Sequence, residues 1–180
     1  MPPTIVSRRE VSARLLAILP ALSLATSTRV NAETAPLSDD SGVSRNCECI
    51  HQEVVMQASR ARVYKALTDA KEFSKVTEFS MPGAGAAISP DAGGEFSLFT
   101  GIISGRNIEM VSGERLVQAW RAKDMGPGIY TIARFQLKDE GVNTRLIFDQ
   151  TAIPQGMAEH LAEGWKSHYW EPLRKYLATT

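Results

Sequence analysis

The sequence predicts an α+β fold in which a curved antiparallel sheet of about six or seven strands wraps one long C-terminal helix. Three observations support this fold class. Short runs of alternating apolar and polar residues, separated by tight-turn signals, occupy residues 95–150. One strand and two short helical segments precede them. Apolar side chains then recur at helical spacing over residues 157–177.

The first elements of the domain are a strand and two short helices. Residues 49–56 alternate in the manner of a strand, and Ser59 is suited to cap a following helix because its hydroxyl can accept a backbone N–H. Residues 63–67 show helical spacing of apolar side chains. A second short helix is expected to run through Phe73 and Val76.

The later strands form an antiparallel meander with one covered and one solvated face. Strand signals fall at residues 95–99, 107–111, 115–121, 129–137 and 144–150, and Gly101 and Gly105 are expected to interrupt the chain between the first two. Because side chains alternate along a strand, each covered face can be read from the sequence. The covered set is Phe96, Leu98, Thr100, Ile108, Met110, Leu116, Gln118, Trp120, Thr131, Ala133, Phe135, Leu137, Leu146, Phe148 and Gln150.

The cover is the C-terminal helix. Its apolar stripe includes Leu161, Trp165, Tyr169 and Leu173. Pro172 lies inside this helix and is expected to kink it, because proline has no backbone N–H to donate. A sheet that wraps a helix often leaves a cavity between the two.

The N-terminal region has the three parts of an export signal. Arg8 and Arg9 precede a moderately apolar run over residues 15–25, and a small-x-small site ends at Ala32. The arginine pair resembles the twin-arginine motif. We therefore predict a twin-arginine-type signal peptide over residues 1–32 with cleavage after Ala32, a flexible linker over 33–46, one domain over 47–180, and a periplasmic or secreted location. The alternative is an uncleaved amphipathic helix in a cytoplasmic protein.

Charge excludes some classes of function. The formal net charge of the whole chain is zero, and residues 33–180 alone carry a net charge of −3. A mildly acidic domain without a basic stripe is a poor nucleic-acid binder. No stretch has enough consecutive apolar residues to span a membrane.

The covered side of the sheet is the predicted ligand site, and no cofactor is expected there. Large aromatic residues and a few polar groups would line it, although large aromatic residues more often fill a core and buried polar groups more often bond one another. His160 and His168 are eight residues apart on the helix and fit a cavity rim. The candidate set is Phe96, Leu98, Met110, Gln118, Trp120, Thr131, Phe135, Leu161, Trp165, His168 and Tyr169.

Cys47, Cys49 and His51 alternate onto one face of the first strand. Two thiolates and an imidazole suit copper(I) or zinc, but no fourth ligand is identifiable, so no metal site is assigned. A disulfide between residues two apart is geometrically strained, but an oxidising compartment can still favour that bridge or an intermolecular one, and free thiols are the remaining alternative.

Several ordered motifs resemble a known family. Residues 96–105 (FSLFTGIISG), 118–121 (QAWR), 128–131 (GIYT) and 164–170 (GWKSHYW) resemble, in the same order, the C-terminal domain of the activator of heat-shock-protein-90 ATPase, and residues 53–69 resemble its first strand and helix. The resemblance covers about residues 50–177. It implies the helix-grip fold of the START and pollen-allergen (SRPBCC) superfamily, whose members commonly enclose an apolar cavity and include some cyclases and aromatases.

These expectations leave three functions to weigh. The leading one is an exported, non-enzymatic domain that binds a small apolar or amphipathic molecule between sheet and helix. A cyclase/aromatase- or hydrolase-like enzyme is the alternative, and it would need a polar pair such as His168 with Gln118 or Arg134. A chaperone-interaction module, implied by the resemblance, is the third, and export argues against it because the cytoplasmic chaperone would be out of reach.

Overall fold

The sheet contains seven strands. The computed structural model describes residues 46–179, so the predicted signal peptide and most of the predicted linker lie outside the described residues. Within this range the strands run in the spatial order β1-β7-β6-β5-β4-β3-β2, with every neighbouring pair antiparallel. Their bounds are β1 Cys47–Met56, β2 Ala87–Ile88, β3 Glu95–Leu98, β4 Ile103–Val111, β5 Arg115–Ala122, β6 Thr131–Glu140 and β7 Asn143–Pro154.

Two short helices follow the first strand, and a long helical segment ends the domain. The short helices are α1 Arg60–Thr68 and α2 Ala70–Thr77. The long segment consists of α3 Ala158–Trp165, a π-helical turn Lys166–Trp170 and α4 Glu171–Ala178 without interruption. This arrangement confirms the predicted fold class. Within residues 46–179, no helix is long and apolar enough to cross a membrane.

The predicted start of α1 is confirmed in detail. The Ser59 hydroxyl accepts a hydrogen bond from the Arg62 N–H at 3.4 Å, which satisfies one of the free donors at the helix N-terminus. Asp69 ends α1 and caps α2, accepting the N–H groups of Lys71 and Glu72 at 2.9 and 3.0 Å. One aspartate therefore fixes the bend between the two helices.

Strict alternation places the core on the concave face of the sheet. In β6, for example, Thr131, Ala133, Phe135 and Leu137 are buried while the residues between them are more exposed. The C-terminal helix contributes the opposing layer, including Trp165, Tyr169 and Leu173. Burial of this apolar surface is the main stabilising contribution to the fold.

The prediction for the region around Gly105 was wrong in two respects. Gly105 lies within β4 and does not interrupt it: a Cβ at this position would stand 1.9 Å from the Ala119 carbonyl and 2.6 Å from the Phe96 ring, so only glycine permits this close approach. A β-bulge after Asn107 then changes the alternation. As a result Asn107 is fully buried and Ile108, predicted to be covered, is 51% exposed.

The effect of Pro172 takes a form that the sequence did not predict. The irregularity precedes the proline, because the helix adopts π geometry over Lys166–Trp170, where the Glu171 N–H bonds the Lys166 carbonyl five residues back. Proline cannot donate to the carbonyl one turn earlier, and the wider π-turn accommodates that loss within a continuous helix.

Candidate functional site

A cavity of about 390 Å³ lies between the C-terminal helix and one end of the concave sheet. Its walls come from the loop after α2, the turn between β3 and β4, the end of β5 with the residues that follow it, α3 and the π-turn. The lining residues are Met81, Phe99, Ile102, Ile103, Trp120, Ala122, Lys123, Asp124, His160, Leu161, Gly164, Trp165, His168 and Tyr169.

The cavity has an apolar interior and a polar rim. Trp120, Trp165 and Tyr169 at its inner wall are 2%, 2% and 5% exposed. Lys123 and Asp124, by contrast, are exposed. A ligand would therefore meet charged groups at the mouth and aromatic rings inside, which is the usual composition of a small-molecule site.

The turn between β3 and β4 forms one wall and holds strained backbone. Phe99 and Thr100 have φ angles of 52° and 54°, in the left-handed region, and neither is glycine. Each such residue costs about 1–3 kcal/mol and persists only where the surrounding structure enforces it. Thr100, predicted to be covered, is exposed because the strand ends at Leu98 and alternation does not continue through the turn. Here the turn directs the Phe99 ring inward, to 5.4 Å from the Tyr169 ring and 6.1 Å from the His168 ring.

The π-turn supplies the opposite wall. His168 and Tyr169 both lie within it, and both line the cavity. The wider helical turn rotates these side chains relative to a regular α-helix, so their direction follows from the local geometry that precedes Pro172. Such π-turns are frequent at functional sites.

Beside the cavity, the polar groups of the core are satisfied by one another. The Trp165 indole N–H donates to Gln150 Oε1 at 2.6 Å, and Gln150 Nε2 donates to the Thr131 hydroxyl at 2.8 Å. That hydroxyl donates in turn to the Trp120 carbonyl at 3.0 Å. The chain of bonds ties the helix to strands β5, β6 and β7.

At the cavity wall, by contrast, buried polar atoms lack hydrogen-bond partners in the described part of the chain. Trp120 Nε1, His168 Nδ1 and the Tyr169 hydroxyl are buried and have no hydrogen-bond partner within residues 46–179. Burial raises the pKa of Tyr169 well above its ordinary value. The nearby Trp120 N–H opposes that rise in the pKa of Tyr169, because a donor close to the phenol oxygen favours its charged form. The Trp120 N–H and the Tyr169 hydroxyl do not, however, reach hydrogen-bond geometry.

The structure brings five of the predicted ligand residues together at this cavity: Trp120, Leu161, Trp165, His168 and Tyr169. The other six lie elsewhere. Phe96, Leu98 and Phe135 fill the core, and Thr131 belongs to the bonded chain described above. Gln118 donates to Asn107 Oδ1 at 3.0 Å, and Met110 lines a separate groove beside α1.

Sequence reasoning missed the rest of the wall. Several of the missed residues lie in or next to loops, where strand alternation does not predict which way a side chain points. They are Met81, Phe99, Ile102, Ile103 and Lys123. Gly164 did carry a signal, since a glycine inside a helix is unfavourable by about 1 kcal/mol relative to alanine and requires a reason. Packing does not supply that reason, because a Cβ at Gly164 would meet no atom within 4 Å.

The cysteine-rich start of β1 lies on the opposite, convex face. Cys47 and Cys49 are exposed free thiols, and His51 Nδ1–H donates to Asp149 Oδ1 across the strand pair at 2.7 Å. This carboxylate also accepts from Arg134 at 2.7 Å, and contact with it raises the pKa of His51. Within the described residues, no three His, Cys, Asp or Glu side chains stand close enough to hold a metal ion.

Comparison with known proteins agrees with the fold and the motifs. The family model for "Activator of Hsp90 ATPase homolog 1-like protein" matches residues 57–178. The chain belongs to this family. The mouse protein "Activator of 90 kDa heat shock protein ATPase homolog 2" is 24% identical over 95 residues, which are 53% of this chain and 29% of that protein. A Dictyostelium discoideum homologue is 30% identical over 87 residues, 47% of this chain and 22% of that protein.

Solved structures of the Hsp90-activator-like fold superpose over most of the domain. The crystal structure of an HSP90 activator from Plasmodium falciparum matches with a TM-score of 0.67 at 21% identity, covering 72% of this chain and 96% of that one. The crystal structure of CalU16 from Micromonospora echinospora matches with a TM-score of 0.61 at 19% identity, covering 73% and 76%. At these identities the match concerns the fold alone. This member of the family spans less than a third of the curated relatives that it matches.

Proposed function

We propose that this domain is a non-enzymatic binding protein that holds a small apolar or amphipathic molecule in the cavity between sheet and C-terminal helix. The cavity volume of about 390 Å³ supports this proposal, because small-molecule sites usually measure about 300–1,000 Å³. Its apolar interior and charged rim suit a molecule that enters with its apolar part first.

Gly164 is the single observation that carries the proposal. It lies inside α3, where glycine weakens a helix, and the space beside it is open. Packing against a neighbour therefore does not account for a glycine here. A larger side chain would project into the cavity, so glycine at this position keeps the cavity volume available.

The test is native mass spectrometry, with organic extraction, of the protein purified from its own host. We expect one kind of small molecule to co-purify with the wild-type protein, at a molar ratio of up to one molecule per protein chain. Gly164→Leu fills the cavity and should lose that molecule, whereas Gly164→Ala, the matched control, adds one methyl group and should keep it. Absence of any enriched molecule in wild type, or equal loading of the leucine variant, would contradict the proposal.

Export is a separate part of the proposal. The arginine pair, the apolar run and the site at Ala32 support a twin-arginine-type signal and a periplasmic or secreted location. That route carries folded proteins, so a ligand can be loaded before translocation. N-terminal sequencing of the mature protein tests this: we expect a start at Glu33, and a mature protein that still begins with the first residues would overturn it.

The enzymatic alternative needs an acid–base pair inside the cavity. His168 lies there, but the two partners considered for it are engaged elsewhere. Gln118 bonds Asn107, and Arg134 bonds Asp149 on the convex face. Proton transfer requires direct or one-water contact, so these pairings do not support catalysis.

Family membership favours a second candidate function, interaction with a chaperone ATPase of the Hsp90 type. The relatives that carry this name are more than three times longer than the shared region, so the shared region alone does not carry over the activity of the whole protein. A pull-down with the host's own Hsp90, accompanied by an ATPase assay, tests this function. Binding with stimulation would support it, and a mature protein starting at Glu33 would remove it.

A further inference from the structure

The three unpartnered polar atoms at the cavity wall indicate what the ligand must contain. Within residues 46–179, Trp165 and Trp170 donate their indole N–H groups to Gln150 and Gln52, while the Trp120 N–H has no acceptor. A buried polar group without a partner costs about 1–3 kcal/mol. Three such groups around one cavity therefore point to a partner that the ligand supplies.

The kinds of atom limit the ligand group to an acceptor. An indole N–H can only donate, and a tyrosine hydroxyl can donate as well as accept. The Trp120 N–H and the Tyr169 hydroxyl are near neighbours that do not satisfy each other. A single oxygen with two lone pairs accepts from both donors at once, and a carbonyl oxygen has that geometry.

Charge at the inner wall limits the ligand group further. The exposed Lys123 and Asp124 stand at the rim, and His160 is also exposed. At the inner wall the burial of Tyr169 keeps its hydroxyl protonated, because its pKa is raised. A carboxylate or phosphate placed there would lose its hydration without gaining a counter-charge, which is strongly unfavourable.

We propose, resting on the function proposed above, that the ligand is an uncharged, largely apolar molecule whose carbonyl oxygen accepts hydrogen bonds from Trp120 Nε1–H and the Tyr169 hydroxyl. His168 Nδ1 is the third polar contact of this subsite. All three residues line the cavity but these atoms are themselves buried, so the proposal includes a side-chain rotation on binding, which is a common change at binding sites.

Three bicyclic probes of matched shape test the inference on the full chain by isothermal titration calorimetry: 1-tetralone, tetralin, and tetralin-1-carboxylate. The ketone should bind about thirtyfold more tightly than the hydrocarbon, as expected for two net buried hydrogen bonds, and the carboxylate should bind most weakly. Trp120→Phe and Tyr169→Phe should each lower the ketone-to-hydrocarbon affinity ratio to about fivefold, because one donor remains in each variant. Tyr130→Phe, which removes an exposed hydroxyl outside the cavity lining, should leave the ratio unchanged.

The outcomes separate this inference from the proposed function. Equal affinity of ketone and hydrocarbon, or tighter binding of the carboxylate, would overturn the carbonyl subsite and leave cavity binding in place. A ketone-to-hydrocarbon affinity ratio that is undiminished in both cavity variants would also overturn it. If none of the three probes binds, the cavity itself is not a binding site, and both proposals fail.

Discussion

The concave side of this domain has two halves that use the same sheet and the same helix in opposite ways. In the closed half, Phe148, Phe135 and Trp170 fill the space around Trp165, and the buried polar groups bond one another. In the open half, a cavity remains and the buried polar groups of Trp120 and Tyr169 have no partner within residues 46–179. The contrast teaches that close packing and mutual hydrogen bonding complete one half, whereas the other half keeps open space beside unpartnered polar groups.

The largest expected effect comes from deleting an aromatic ring in the closed half. Phe148 is fully buried, with its ring 4.3 Å from that of Trp165 and 5.1 Å from that of Phe135. Phe148→Ala should lower the free energy of unfolding by about 3–5 kcal/mol, measured by denaturant titration, because it leaves a cavity in a close-packed core.

The matching change in the open half is Leu161→Ala. Its side chain already faces the cavity, so fewer contacts are lost, and we expect a decrease of about 1–2 kcal/mol in the free energy of unfolding. Equal losses in the two variants would mean that the cavity is closed in solution.

Removal of one buried hydroxyl from each half gives the next largest difference. Thr131→Val leaves the Gln150 amide without its acceptor and should lower the free energy of unfolding by about 2 kcal/mol. Tyr169→Phe removes a buried hydroxyl that lacks a partner and should raise the free energy of unfolding by about 1–2 kcal/mol, because an unsatisfied buried polar group is unfavourable. Denaturant titration of both variants measures the difference, and a loss of about 2 kcal/mol in Tyr169→Phe would show that its hydroxyl is satisfied.

A reference point outside both halves is the contact between α2 and α4. Glu72 accepts hydrogen bonds from the Tyr176 hydroxyl and from Arg62, which lower its pKa from 4.5 to about 2. Because the folded pKa is depressed, the stabilisation is complete above pH 4.5 and is lost as pH falls towards 2.

The wild-type protein should therefore lose roughly 1–2 kcal/mol from this site between those pH values, since residual solvent exposure screens part of the interaction. Glu72→Gln should show a flatter dependence of unfolding free energy on pH, measured by denaturant titration across that range. An unchanged pH dependence would mean that other carboxyl groups account for acid unfolding.

The smallest expected effect is a gain. Gly164→Ala should raise the free energy of unfolding by about 0.5–1 kcal/mol, because alanine is a better helix former and its methyl group meets no atom within 4 Å. Thermal and denaturant unfolding both measure this gain. A destabilised alanine variant would indicate that the space beside Gly164 is already filled.

Sequence periodicity predicted the closed half better than the open half, for a physical reason. Residues such as Thr131 and Phe148 lie in regular strands, where alternation fixes the face of each side chain. The open half depends on irregular geometry: the left-handed residues Phe99 and Thr100, and the π-turn that carries His168. Strand alternation and helical periodicity do not predict such geometry.

Strand alternation also failed to predict the strand register within the sheet. The bulge after Asn107 displaces Ile108 to the surface, and nothing in the sequence other than nearby glycine marks it. The helix itself and its aromatic residues Trp165 and Tyr169 were predicted correctly, because an apolar stripe over five turns is a strong signal.

The most direct test of the two-halves account is a crystal structure of the wild-type protein purified from its own host, beside that of Gly164→Leu. The account predicts electron density for a small molecule between Phe99, Trp120 and Tyr169 in wild type, with the Gln150–Trp165 hydrogen bond unchanged. In the leucine variant the introduced side chain should occupy that space. Wild-type side chains that collapse to fill the cavity, or a ligand bound elsewhere in the domain, would contradict it.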